Sequence, residues 1–350
     1  MAVQTLAVKY RPKTWDDVTE QRSIKIILQQ QLESGEIKNA YLFTGPAGCG
    51  KTTSARIFAH DINKGQGNPI EMDAASNSGV DDVRNIIQQA QTKSLDSEYK
   101  VFIIDECHSI SNTGWQAFLK LIEEPPAKSI FIFCTTDPQK IPKTILSRVQ
   151  RYDFTKISQQ GIVDRLRYIS DLEVTGEDGL VRLEALEYIA KISAGGMRDA
   201  ISLMDKALAY NTELTLKNVV NALGTTDYNT MFDLADYIFS GANKEIITTI
   251  EELYNSGKDI KQFVKQFTQF LLDVQKFDIL RDKSWKYINI PHLSDYECRL
   301  SEQDAEYFKD MLNVLKIFVK LSADIKYSST PKYDVESAIL LYTLGEEIES

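Results

Sequence analysis

The chain has 350 residues, 43% of them hydrophobic and 26% charged, and a net charge of −10. That length supports two or three domains with real cores. No apolar run reaches the roughly eighteen residues of a membrane span, and no signal-peptide apolar stretch opens the chain, so a cytoplasmic protein with no membrane partner is expected. Residues 1–158 carry 19 basic and 18 acidic side chains, a balance of +1, whereas residues 159–350 carry 21 and 32, a balance of −11. So acidic a chain is a poor general coat for DNA, and any nucleic-acid contact is expected to be local and N-terminal. The four cysteines, Cys49, Cys107, Cys134 and Cys298, form no C-x-x-C pair, which argues against a zinc site or a disulfide framework. The first three read as small buried packing residues.

In chain order, Val8-Lys9-Tyr10-Arg11-Pro12 and Thr14-Trp15-Asp16-Asp17-Val18 alternate apolar and charged residues around a stiff proline, as in a strap over a pocket mouth. A helix is predicted from about Gln21 to Glu33, with Ile24, Ile27, Leu28 and Leu32 on one face and Gly35 ending it. The apolar run Ala40 to Phe43 then leads into Gly45-Pro46-Ala47-Gly48-Cys49-Gly50-Lys51-Thr52, which fills every fixed position of the G-x-x-x-x-G-K-[ST] phosphate loop, and Thr53 opens a helix to Ile62. Gly45, Gly48 and Gly50 allow successive N–H groups to turn inward on a phosphate, and the helix N-terminus adds partial positive charge. Lys51 is placed for the β- and γ-phosphates and Thr52 for magnesium, so the chain is expected to bind a nucleoside triphosphate.

A polar connector, His60 to Asn68, precedes a strand at Pro69 to Asp73, the turn Ala74 to Gly79 and a helix from about Val80 to Lys93. Val101-Phe102-Ile103-Ile104-Asp105-Glu106 reads as a strand buried on both faces and ending in two carboxylates. Asp105 is placed to help hold magnesium and Glu106 to polarise the attacking water. A helix, Asn112 to Glu124, is closed by Pro125-Pro126, and the strand Ser129 to Cys134 ends in Thr135-Thr136, either of which can meet the γ-phosphate or the water. Ile145-Leu146-Ser147-Arg148 leads to a last strand, Gln150 to Phe154; such alternation predicts a parallel sheet covered on both sides. From Ser158 onward the periodicity is helical, with Gly195-Gly196 breaking it before a helix from Met197 to Tyr210. Phe263, Phe267, Phe270 and Leu271 form one later stripe and Met311, Leu315 and Phe318 another, while Asp282 to Arg299 reads as a long loop.

Several strings occur in fixed order between Ala7 and about Ala207: K-Y-R-P-x-x-W-D-D-V, the phosphate loop, M-D-A-A-S-N-S-G-V-D-D-V-R, I-I-D-E-C-H, L-I-E-E-P-P, T-T-D-P-Q-K-I-P, L-S-R-V and G-G-M-R-D-A. Together they resemble the AAA+ ATPases that load sliding clamps, the gamma/tau family of the bacterial replicative polymerase. The resemblance implies an α/β AAA+ P-loop domain with a parallel sheet (1–158), a small helical lid (159–224) and an all-helical collar (225–350). It implies ATP and magnesium as ligands, with Lys51, Glu106 and Arg148 in catalysis. Arg148 looks like a finger entering a neighbouring subunit's site, and Arg198 like a second sensor reaching the nucleotide from the lid. One of Thr135 and Thr136 looks like the first sensor, and Arg11 and Val18 look like part of the base-side pocket beside the loop residues Gly45 to Thr53. The partners implied are other loader subunits in a pentameric ring, a sliding clamp and primer-template DNA. Ser76, Asn77, Ser78 and Arg84, with Ser111, Asn112 and Thr113, are placed for the DNA backbone, although Ser and Asn also simply cap helices.

Two departures stand out. The interval His60 to Asn68 lacks the family's four-cysteine zinc module, so no zinc is expected, and Val149 replaces the cysteine of Ser-Arg-Cys. Rival readings share parts of the pattern. Asp105-Glu106-Cys107-His108 imitates a helicase D-E-x-H box, but helices follow where a second sheet domain would be needed. On the loader reading His108 is a residue after the strand without a catalytic task, and His60 and His292 are likewise unassigned. A replication initiator, helicase loader or branch-migration motor shares the ATP chemistry, and a structural ring subunit shares the fold without turnover.

Overall fold

Five segments become strands, β1 Ala40–Thr44, β2 Ile70–Asp73, β3 Lys100–Asp105, β4 Ser129–Thr135 and β5 Gln150–Asp153, in a computed structural model that describes residues 4–77, 79–94, 96–173, 179–223 and 228–345. All pairings are parallel, in the order β2-β3-β4-β1-β5. Alternate residues face opposite layers: Tyr41, Phe43, Ile130 and Ile132 join one buried cluster, and Leu42, Phe131 and Phe133 the other. Burial on both faces is why the central strands β1, β3 and β4 lack a polar alternation, whereas the edge strands β2 and β5 keep one.

The helices of this part are α1 Leu6–Lys9, α2 Arg22–Ser34, α3 Lys51–Ile62, α4 Val80–Ala90, α5 Asn112–Glu123, α6 Lys143–Leu146, α7 Gln159–Glu173, α8 Gly179–Ile192 and α9 Met197–Tyr210. One layer is covered by Ile24 and Leu28 of α2 and by Ile57 and Phe58 of α3. The other is covered by Val83 of α4 and by Trp115 and Phe118 of α5. The ends carry their own signals. Gly35 takes a left-handed φ of 72° after α2, and the Ser111 hydroxyl accepts the Gly114 N–H at 3.2 Å at the start of α5. Because β1 lies between β4 and β5, the carboxyl ends of β1, β3 and β4 converge where strand order reverses, the place where open α/β sheets bind ligands.

The chain divides into two compact units, one ending at Leu214 and the other beginning at Thr215. The nucleotide domain and the lid helices α7–α9 therefore form one unit, and the division falls before the next helix, whereas the sequence expectation draws it after residue 224. The second unit contains α10 Leu216–Leu223, α11 Tyr228–Ser240, α12 Asn243–Asn255, α13 Ile260–Leu280, α14 Ser294–Ser301, α15 Ala305–Asp324 and α16 Pro331–Thr343. Along α13, Phe263, Phe267 and Phe270 stack at centroid spacings of 5.7 Å, and Phe318 of α15 meets Phe267 edge-on at 4.8 Å.

The expected loop from Asp282 to Arg299 is largely structured. Residues Arg281–Lys286 form a 3-10 helix, α14 starts at Ser294, and Ile288 and Ile290 between them are buried. The buried Asp273 carboxylate fixes this segment by accepting the Asn289 N–H at 2.6 Å and the Gln269 amide at 2.9 Å. Burial raises the Asp273 carboxyl pKa above its usual range against those bonds. Elements this short carry too little periodicity to be read from sequence.

Candidate nucleotide site

The phosphate loop joins β1 to α3, and glycine is required at its first position. Gly45 has φ +145°, and a Cβ there would overlap the Phe154 carbonyl and lie 2.9 Å from the Phe154 Cβ. Replacing Gly45 with Ala is therefore expected to lower the stability of this unit by about 1–3 kcal/mol through backbone strain alone. That corresponds to roughly 2–4 °C in melting temperature for each kcal/mol; an unchanged melting curve would show that the loop can move away. At the other end Gly50 has φ +100°, and α3 begins with Lys51.

The buried Lys51 ammonium donates to the carbonyls of Gly45 at 2.8 Å and Pro46 at 2.7 Å, so its charge sits inside the loop. The Cys49 thiol also points back, 3.0 Å from the Pro46 carbonyl, and burial pushes its pKa up. Across the cleft the Thr52 hydroxyl donates to Asp105 Oδ2 at 2.8 Å, while Asp105 Oδ1 accepts the Glu106 N–H at 3.0 Å. Glu106 has left-handed backbone angles (φ 45°, ψ 42°), strain that turns it out of the line of β3. Its Oε2 accepts from the Thr136 hydroxyl at 3.1 Å and lies 3.3 Å from His108 Nδ1.

The two threonines left open by the sequence occupy different environments. Thr135 is fully buried; its Oγ1 accepts the Asp137 N–H at 3.0 Å and sits 3.1 Å from His108 Nδ1. Thr136 is the one that touches Glu106. The reading of His108 as a residue without a task omits this contact, since nothing in the local sequence aims its ring at the carboxylate.

The lid closes the cleft from above. The Met197 N–H at the start of α9 donates to the Gly48 carbonyl at 3.0 Å, and the Gly195 carbonyl accepts from Ile157 at 3.1 Å. A Cβ on Gly48 (φ +71°) would lie 3.0 Å from the Gly196 Cα, so loop and lid approach closely only as glycines. Arg198 follows directly and lines a cleft of about 970 Å³ with Lys51, Asp105 and Glu106.

Arg11 and Val18 line the same cleft from the N-terminal strap. The strap is bonded to the lid: the Leu6 N–H donates to Asp205 Oδ2 at 3.1 Å, Tyr10 Oη to Glu173 at 2.6 Å, and Arg165 Nη2 to the Tyr10 carbonyl at 3.0 Å. The Lys9 and Tyr10 donors hold the Glu173 carboxyl below its usual range. Arg165, Asp205 and Lys206 also line the cleft and are missed by the sequence reading. The only signal would have been their place beside the buried Leu166 and Met204 on α7 and α9.

Arg148 stands apart from these residues and does not line the cleft. Its Nε lies 2.7 Å from Glu123 of the L-I-E-E-P-P string, and its Nη1 donates to the Thr144 carbonyl at 2.8 Å and to Ser147 Oγ at 3.1 Å. Val149 packs partly buried against the layer containing Phe133. Of the residues placed for DNA, Ser76 and Asn77 bond to Asp73, Ser111 caps α5 and contacts Thr113, Asn112 is the first residue of α5, and the exposed Arg84 pairs with Asp81 at 3.0 Å. Ser78 lies outside the described residues. Among the described residues no cluster of three or more His, Cys, Asp or Glu could hold a metal. Among them, too, no helix is long and apolar enough to cross a membrane.

A phosphate loop at the strand-order reversal of a parallel sheet, paired carboxylates on the neighbouring strand and a helical lid bearing an arginine define the AAA+ class of P-loop proteins. Residues 70–158 match the family described as DNA polymerase III, delta subunit; residues 162–213 match DNA polymerase III clamp loader subunit, ATPase lid domain; and residues 214–341 match DNA polymerase III subunits gamma and tau domain III. The chain is 34% identical to the Bacillus subtilis DNA polymerase III subunit tau over 97% of its own length and 63% of that protein's. It is 33% identical to the Escherichia coli subunit tau over 73% of its own length and 43% of that protein's. The Thermotoga maritima RuvB Holliday junction branch migration motor shares the fold, with a TM-score of 0.52 and 22% identity over 65% of this chain and 79% of that one. The chain belongs to the gamma/tau family of DNA polymerase III clamp-loader ATPases. It spans about two thirds or less of the length of these curated relatives.

Proposed function

We propose that this chain is an ATP-hydrolysing subunit of a sliding-clamp loader, acting in a ring with other subunits to place a clamp on primer-template DNA. One observation carries the reading: Lys51, Thr52, Asp105, Glu106 and Arg198 converge on one cleft in a chain 34% identical to a tau subunit. Lys51 and the loop N–H groups bind the β- and γ-phosphates, with Gly45 to Thr53 as the cradle. The Thr52 hydroxyl and Asp105 carboxylate, already 2.8 Å apart, suit magnesium, which takes one or two protein ligands and fills its shell with phosphate and water oxygens. When bound, that ion neutralises charge building on the phosphates.

Glu106 orients the attacking water, and Thr136 steadies Glu106 from the tip of β4. Arg198 senses the phosphates from the lid, and Arg11 and Val18 border the base. Arg148, outside its own cleft, serves the neighbouring subunit's site. No zinc is expected to be part of the fold. Within the chain, 1–158 is the nucleotide domain, the lid follows from 159 to the end of the first compact unit at Leu214, and the helical unit from Thr215 is the collar through which subunits join. DNA runs past the starts of α4 and α5, where Ser76, Asn77, Ser78, Arg84, Ser111, Asn112 and Thr113 meet its backbone.

The test is ATP turnover of the assembled ring with and without its clamp and primed DNA. Both together are expected to raise the rate, and DNA binding is expected to need ATP, to ignore sequence and to weaken with salt at a log–log slope of about −0.9 per phosphate neutralised. Tight sequence-specific binding without ATP would point to an initiator instead.

A further inference from the structure

We infer that His108 is a positioning residue for the Glu106 carboxylate, selecting which of its two oxygens meets the attacking water. The inference rests on the ATPase reading proposed above. His108 lies on a 3-10 turn, Cys107–Ser109, anchored by the fully buried Cys107. Its Nδ1 is 3.3 Å from Glu106 Oε2 and 3.1 Å from Thr135 Oγ1.

Hydrogen-bond accounting assigns the proton on that nitrogen. Thr135 Oγ1 accepts the Asp137 N–H at 3.0 Å and lies 3.1 Å from Nδ1. An ionised carboxylate has no hydrogen to give, so the tautomer that suits Nδ1 beside Glu106 Oε2 is the one with the hydrogen on Nδ1, bonded to Thr135 Oγ1 and set 3.3 Å from the carboxylate. Oε2 accepts the Thr136 hydroxyl at 3.1 Å and has the His108 Nδ1 beside it at 3.3 Å, so two separate elements face the same oxygen. Among the described residues Oε1 takes none, which leaves it as the atom to orient a water.

The same ring ties the carboxylate to the phosphate loop. The Thr135 carbonyl accepts the Gly45 N–H at 3.2 Å, so one residue of β4 contacts the loop through its backbone and His108 through its side chain. A shift of the loop therefore reaches Glu106 through Thr135 and His108, on the route that holds its rotamer.

Steady-state turnover and nucleotide affinity of assembled rings carrying His108→Ala, His108→Asn and His108→Gln test this. The Asn amide can present its N–H where Nδ1 stands, whereas Gln reaches further, nearer the place of Nε2. His108→Ala is expected to lower kcat by about 10- to 100-fold, less than loss of the base itself, with KM for ATP within about twofold. His108→Asn should recover most of that loss and His108→Gln little. In a Glu106→Gln background His108→Ala should add almost nothing, because the two residues act as one unit. A kcat for His108→Ala within twofold of the parent, equal defects in the Asn and Ala variants, or a full additional loss on top of Glu106→Gln would each overturn the inference. If Glu106→Gln itself leaves turnover unchanged, the ATPase reading fails and this inference with it; a normal Glu106 result with silent His108 variants sinks this inference alone.

Discussion

Arg148→Ala is expected to leave the ATP affinity of a single subunit almost untouched while abolishing clamp- and DNA-stimulated hydrolysis in the ring. An arginine supplied to a phosphoryl-transfer site from a partner is worth about 10³–10⁵ in rate. Arg148 does not line the cleft that holds Lys51 and Glu106. Its guanidinium is nevertheless held in a defined direction. Nε pairs with Glu123 at 2.7 Å, and Nη1 uses its hydrogens on Thr144 and Ser147 at 2.8 and 3.1 Å. Two of its five donors are thereby hydrogen-bonded within the chain while the ion pair with Glu123 holds the Nε side. A planar fork fixed on one side suits phosphoryl oxygens better than a flexible ammonium would. Rings assembled with one mutated subunit should lose turnover at the neighbour's site and keep it at the mutant's own. Loss confined to the mutant's own site, or a lone subunit turning over at the full stimulated rate, would contradict the assignment.

Glu106→Gln is the second large effect. It should keep nucleotide binding and lower turnover by about 10²–10⁴, the usual contribution of a positioned general base. The amide preserves the shape of the carboxylate but cannot accept a proton from the attacking water. On the proposed roles, in which Lys51, Thr52 and Asp105 would hold the phosphates and metal without Glu106, binding of a fluorescent nucleotide should be within a few fold of the parent. Turnover close to the parent rate would remove Glu106 from the role and leave its left-handed backbone without a catalytic explanation. A parallel loss of nucleotide affinity would instead mean that Glu106 supports the cleft structurally. The two variants also separate from one another: the glutamine change silences the subunit that carries it, the arginine change silences its neighbour.

The sequence by itself determined the parts whose chemistry lies within a few consecutive residues. Gly45 to Thr52 is legible because its backbone angles, its lysine and its hydroxyl are set by eight adjacent positions, and Asp105-Glu106 because a doubly buried strand ending in carboxylates gains a use beside an intact phosphate loop. The helical stripes of α9 and α13 follow from period alone. The long gap in that reading, Asp282 to Arg299, has a physical cause: its short helical pieces are held by Asp273 and by buried Ile288 and Ile290 rather than by their own pattern.

Only the tertiary structure separates the environments of Thr135 and Thr136. Successive strand residues face opposite ways, so a one-residue difference at the tip of β4 sends one hydroxyl to His108 and the other to Glu106. It also brings His108 within 3.3 Å of Glu106, docks Met197 on Gly48, bonds the strap to the lid through Asp205 and Glu173, and pairs Glu123 with Arg148. All but the first of these join residues far apart in the chain, and none announces itself in composition or spacing. Each depends on sheet register and helix docking to bring hydrogen-bonding atoms within about 3 Å, a precision that comes from packing and not from local sequence.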